Sequence, residues 1–207
     1  MRFIQVTAQP PPNAKSVEQL QKSAETCRGC ELYKDATQTV FGEGEEHSRM
    51  MLIGEQPGDQ EDLAGKPFVG PAGRLLQRGL DEAGIDRRRV YVTNAVKHFR
   101  FTMRGKRRLH EKPNAGQVRA CRPWLEAEIA VVAPRMLVLL GATAAQSVMG
   151  PAFRVSKQRG EVVQTTFGIP AVATVHPSSI LRAADDESRE AAMTSFIADL
   201  RVAARNA

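Results

Sequence analysis

The chain has 207 residues, enough for one α/β domain with a real core and too few for two comfortable ones. Hydrophobic residues make up 42% of it, the net charge is +6, and no apolar run nears the roughly 20 residues a membrane span needs. A membrane protein and a disordered chain are thereby set aside, and a polyanionic partner is favoured.

Residues 1–15, with Pro10-Pro11-Pro12, read as a flexible tail, and 16–207 as one domain that opens with a helix over 16–26. No charged segment followed by an apolar stretch opens the chain as a secretion signal would, so the cytoplasm is the expected location. Cys27-Arg28-Gly29-Cys30 is a lone CxxC, and Cys121 is the third cysteine. An odd count in a reducing compartment argues against a disulfide framework. Three thiolates and the imidazole of His98 can complete a zinc site or hold an iron–sulfur cluster, and spacing does not separate the two. A buried, unliganded Cys121 is the plainer alternative.

Apolar runs over 50–53, 90–93, 136–140 and 171–175 read as strands, with helices expected over 71–84, from Asn114 to Val132, over 142–149 and over 187–204. Strand–helix alternation of this kind implies a parallel sheet with helices on both faces. Ligands bind outside the carboxyl ends of such strands. Glu55 and Gln56 follow the first strand, Asn94 the second, Gly141-Ala142-Thr143 the third and His176 the fourth, so all should gather along one edge.

Each has an ordinary structural reading: Asn94 as a turn cap, His176 as a hydrogen-bonded histidine after a strand. Taken together they suit chemistry better. The amide of Asn94 offers the paired donor and acceptor that match a nucleobase edge. A neutral His176 can donate to a developing anion. Phe68, flanked by Pro67, Gly70 and Pro71, can present an aromatic face at the rim. The stretch from His98 to His110 carries five cations and no acid, with Phe99 and Phe101 interleaved. It reads as a basic loop suited to salt-sensitive phosphate contact, through Lys106, Arg107 and Arg108.

The Gly54-Glu55-Gln56-Pro57-Gly58 loop, Pro67-Phe68-Val69-Gly70-Pro71-Ala72-Gly73, Asn94-Ala95-Val96 and His176-Pro177-Ser178-Ser179 together resemble the uracil-DNA glycosylase superfamily, in its iron–sulfur, family-four-type branch. The resemblance runs from Cys27 to the final helix. Two features resemble the UdgX-type members, which become covalently attached to uracil-containing DNA: His98 stands where family-four enzymes carry a cysteine, and Lys106-Arg107-Arg108-Leu109-His110 is similar to a basic loop ending in a nucleophilic histidine.

The resemblance implies an α/β/α sandwich around a four-stranded parallel sheet and a [4Fe–4S] cluster on Cys27, Cys30, His98 and Cys121. It implies uracil-containing DNA as partner, single strands accepted, with the protein a monomer. Phe68, Asn94 and Gln56 would hold the base, Glu55 and His176 would assist cleavage, and His110 would capture the sugar while Glu55 accepts its other ring proton. A conventional, turning-over glycosylase is the nearest alternative. A non-catalytic metal-stapled nucleic-acid-binding domain would leave Glu55, Phe68, Asn94 and His176 without a purpose.

Overall fold

The computed structural model describes residues 14–207. The tail expected over 1–15 lies, apart from Ala14 and Lys15, outside the described residues. In chain order the elements are α1 (Val17–Ala24), β1 (Met50–Gly54), α2 (Asp59–Ala64), α3 (Pro71–Ala83), β2 (Val90–Asn94), β3 (Phe101–Arg104) and β4 (Arg107–His110). Then follow α4 (Ala115–Val132), β5 (Met136–Leu140), α5 (Ala142–Met149), α6 (Val155–Gln158), β6 (Val162–Gln164), β7 (Pro170–Thr174), α7 (Pro177–Leu181) and α8 (Asp186–Arg205).

The main sheet has the order β2-β1-β5-β7-β6. Its first four strands are parallel and coincide with the four apolar runs, giving the α/β sheet flanked by helices that the sequence implies. The short β6, pairing antiparallel with β7, is an addition at the edge. It has no apolar run to announce it, because most of its three side chains face solvent.

Strand side chains alternate faces, and here the alternation feeds two cores. Met51, Ile53, Tyr91, Leu137, Leu139, Ala171 and Ala173 pack with α1, α4 and α5. Met50, Leu52, Val90, Val92, Met136, Val138 and Leu140 pack against α3, α7 and α8. Burial on both faces explains why these strands read as continuous apolar runs.

Helix boundaries follow their local signals. Asn114 caps α4, accepting from the Gln117 N–H at 2.9 Å while the Gln117 side chain accepts from the Asn114 N–H at 2.8 Å. Pro71 opens α3, and Gly84, at φ 76°, closes it in the left-handed region. No helix among the described residues is long and apolar enough to cross a membrane.

The expected basic loop is a β-hairpin. β3 and β4 pair antiparallel, from Phe101 opposite His110 to Arg104 opposite Arg107, and Gly105 at φ 61° makes the tight turn. Cations on both of its faces hid the alternation by which a strand is usually read.

Candidate active site

The chain leaves β1 toward β2 on one side of the sheet and leaves β5 toward β7 on the other, so the crossover direction reverses between β1 and β5. Such a switch point opens a crevice at the strand ends. A cavity of about 400 Å³ lies there, lined by Gln56, Phe68, Asn94, His110 and His176, with Leu181 and Arg182 at its rim. Five residues expected to converge therefore share one space. Glu55, beside it, contacts His110.

Glycine makes the base of this cavity possible. A Cβ on Gly54 would meet Asn94 Oδ1 at 2.3 Å and the Phe68 ring at 2.6 Å. Phe68 itself holds φ 56°, a costly conformation for an aromatic residue, and a Cβ on Gly73 would lie 1.8 Å from its carbonyl oxygen. Glu61 fixes the surrounding loops: its carboxylate accepts from the Gly58 N–H at 3.1 Å and the Gly70 N–H at 2.8 Å. The Phe68 ring is thus held 6.0 Å from that of His176, centroid to centroid.

Asn94 Oδ1 is the one buried side-chain polar atom among the described residues without a hydrogen-bond partner. Burying an unpaired amide oxygen costs about 1–3 kcal/mol, so an unsatisfied acceptor facing a cavity calls for a ligand donor. Below it, Lys97 Nζ donates to the Asn94 carbonyl and to Thr93 Oγ1, each at 2.7 Å, and to Glu128. Glu128 also accepts from the Tyr91 hydroxyl at 2.8 Å and from Thr93 Oγ1 at 2.9 Å. This fully buried ion pair holds the Asn94 backbone from beneath, and no sequence motif announced it.

His176 is neutral. Burial first, and then the proximity of other cationic or ionisable groups such as Arg182, pushes its pKa down to about 4. Its Nδ1 accepts from the Ser178 N–H at 3.2 Å, which leaves the proton on Nε2. The ring is therefore a neutral donor in the cavity wall.

His110 ends β4 with its side chain about half exposed. Gln56 explains its orientation. The Gln56 Oε1 accepts from the Arg100 N–H at 3.1 Å, and Nε2 donates to the Glu111 carbonyl at 2.8 Å and the Arg100 carbonyl at 3.2 Å. A flipped amide would turn its oxygen toward both carbonyls, so it is the nitrogen that faces His110 Nε2 at 3.0 Å, its two protons shared among that ring nitrogen and the two carbonyls. The ring nitrogen then carries a lone pair, and Nδ1 the proton.

Glu55 Oε1 lies 3.6 Å from the same Nε2. The second carboxylate oxygen of Glu55 accepts from the Thr143 hydroxyl, an orienting bond that no motif disclosed. The Gln56 side chain is likewise engaged by the hairpin backbone and by His110.

Of the three cations assigned to DNA, Lys106 and Arg107 are exposed near the hairpin turn. Arg108 corrects the expectation. Its guanidinium bonds Asp59 Oδ1 and Asp62 Oδ2, each at 2.6 Å, and lies over the rings of Phe99 and Phe101. Asp62 is wholly buried, so its charge needs this partner. Arg108 clamps the hairpin onto α2 instead of facing solvent.

The uracil DNA glycosylase superfamily model matches residues 41–201. A type-4 uracil-DNA glycosylase of Thermotoga maritima is 36% identical over 174 residues, 84% of this chain and 87% of that protein. Those of Pyrobaculum aerophilum and Archaeoglobus fulgidus are 34% and 32% identical, covering 80% and 81% of this chain and 85% and 84% of theirs. The chain belongs to the uracil DNA glycosylase superfamily.

In this glycosylase the three cysteines are free and buried. Trp124 Nε1 donates to Cys27 Sγ at 3.2 Å, and the Lys97 N–H donates to Cys121 Sγ at 3.3 Å, so two of the sulfurs are oriented by N–H donors. Burial pushes the Cys121 thiol up to about 12 and raises that of Cys30. His98 is buried and kept neutral, its pKa lowered to about 4 by desolvation. Thr39 gives its only hydroxyl proton to the Ala24 carbonyl at 2.9 Å, so His98 Nε2, 3.0 Å from that hydroxyl, must be the donor there. Nδ1 keeps its lone pair, the arrangement of a ligating imidazole with its far N–H anchored.

Among the described residues no three such side chains converge closely enough for a single ion. A cluster spreads its ligands wider than one tetrahedral metal does, and a set of three thiols and one available imidazole nitrogen fits such a group.

Proposed function

We propose that this glycosylase excises uracil from DNA and that His110 captures the sugar it leaves behind. The observation that carries the base specificity is the unpaired Asn94 Oδ1 in the cavity floor. A pyrimidine turned out of its stack would give N3–H to that oxygen and take the amide N–H at O4. Cytosine presents the opposite polarity at both atoms and is refused. The Phe68 ring stacks on the base.

As the C1′–N1 bond lengthens, its electron pair leaves with the uracil ring, and charge gathers on O2. His176 Nε2–H is a preorganised donor for that oxygen. Glu55, held by Thr143, faces the sugar and favours its positive charge electrostatically. The Nε2 lone pair of His110 then forms the bond to C1′, the Nδ1 proton is shed to water, and the uracil anion takes a proton from water. Support for this step comes from the Gln56 amide nitrogen, which holds Nε2 unprotonated until their hydrogen bond is released to free the lone pair, and from the position of Glu55 at 3.6 Å. Cys27, Cys30, Cys121 and His98 would hold a [4Fe–4S] cluster, whose contribution when bound is to staple α4 to the segments around it.

The test is denaturing electrophoresis of the protein mixed with a uracil-bearing oligonucleotide and its thymine counterpart. A denaturant-stable adduct with the uracil strand alone is expected, and His110→Ser should abolish it while water releases abasic DNA. Multiple turnovers with free abasic product in the unsubstituted protein would instead make this a conventional glycosylase. An adduct that survives His110→Ser would refute the assignment of the nucleophile.

A further inference from the structure

A second groove, of about 450 Å³, lies between α4 and α5 on the far side of Glu55 from the base cavity. Lys112, Arg119 and Arg122 line it over an apolar floor that includes Pro113, Val118 and Pro151, and no carboxylate is among its lining residues. Arg122 is shared with Glu126 at 2.7 Å, whereas the Lys112 ammonium and the Arg119 guanidinium have no partner among the described residues.

We propose that this groove carries the phosphodiesters of the DNA strand on one side of the everted uridine. The inference rests on the reading of the site as one that receives a nucleotide from DNA. Two contacts join the groove to the reacting groups. Thr143 forms part of its wall and donates to Glu55. Lys112 forms its lip only two residues beyond His110, and Arg100 Nη1 fixes that lip by donating to the Lys112 carbonyl at 3.0 Å.

A deoxyribose held between Glu55 and His110 therefore lies at the groove's mouth. Its strand must leave the site in two directions. The hairpin tip, with Arg104, Lys106 and Arg107 exposed, serves one of them. The groove supplies the other with unpaired cations at the wall and apolar surface for the sugar edges, the combination that tracks a single strand. An acidic peptide would satisfy the charge but gains nothing from a mouth that opens on the nucleotide site.

The experiment measures equilibrium binding of the full chain to a single-stranded oligonucleotide carrying one 2′-fluoro-substituted deoxyuridine, which resists cleavage, across a potassium chloride series. Each single-strand phosphate that a protein cation neutralises, releasing its counterion, contributes about 0.7 to the slope of log K against log salt. Lys112→Ala with Arg119→Ala should flatten that slope by about 1.4. Arg205→Ala is the control for charge, since the carboxyl end of α8 meets Arg49 at the opposite end of the sheet. It should leave the slope unchanged.

Trimming the oligonucleotide on one side of the uridine should remove the same increment from the unsubstituted protein and nothing from the double variant. A slope equal in the double variant and the unsubstituted protein, or trimming that acts alike on both, would overturn the proposal. Preference for the uridine analogue over thymidine separates the two readings. If that preference persists while the slopes stay equal, the groove assignment alone fails; if it is absent from the unsubstituted protein, the uracil reading fails.

Discussion

Gly54 decides whether the base cavity exists. Its missing side chain is the space in which the Asn94 amide and the edge of Phe68 meet, 2.3 Å and 2.6 Å from where a Cβ would stand. Gly54→Ala should overpack the junction at a cost of about 1–3 kcal/mol, read as a lowered denaturation midpoint. Displacing the amide by about 1 Å should also cost about 100-fold in uracil excision by a folded protein, measured in single turnover. Unchanged excision would mean that Asn94 does not read the base.

At this scale the sequence disclosed residue types better than residue tasks. Glu55, Asn94, His110 and His176 were recognisable from the segments that carry them. The work of Gln56 and Thr143 was not, because each acts through a partner far along the chain: Arg100 and Glu111 for the first, Glu55 for the second.

Among the elements, the segment leaving β2 is joined to α4 by the Lys97–Glu128 pair, closed off from solvent together with Tyr91 and Thr93 of the strand. Lys97→Met would leave the Glu128 carboxylate buried without a cation, a loss of about 3–5 kcal/mol. Urea unfolding should show that loss, and Lys97→Met combined with Glu128→Leu should recover much of it, since a matched apolar pair carries no stranded charge. If the double variant is no better than the single, the pair is not the source of the loss.

The four parallel strands and the long helices were legible because burial on both faces writes unbroken apolar runs and because caps such as Asn114 mark boundaries. The hairpin was not. Its strands are held by Arg108 on Asp59 and Asp62, and by Gln56 across its base, so its stability comes from polar contacts that leave no periodic trace. The short α7 was hidden for a similar reason: His176 serves as its cap and as a wall of the cavity at once.

For the whole molecule, the buried neutral imidazole of His176 makes stability depend on acidity. Its folded pKa of about 4 lies below the ordinary histidine value of 6.5, so the unfolded chain binds more protons between those limits. Its contribution is complete above pH 6.5 and is lost as the pH falls toward 4, with a slope approaching about 1.4 kcal/mol per unit. Chemical denaturation of the unsubstituted protein and of His176→Asn across that range should show the difference between them shifting by this slope. A constant difference would mean that the ring is already protonated in the fold.

The ribbon formed by β3 and β4 shares no strand pairing with the main sheet. Its histidine is consequently carried on an appendage, clasped to the body by carboxylates and one amide. Under the proposed capture by His110, that chemistry would be gained or discarded by rewriting the ribbon Phe101–His110, while the main sheet folds as before.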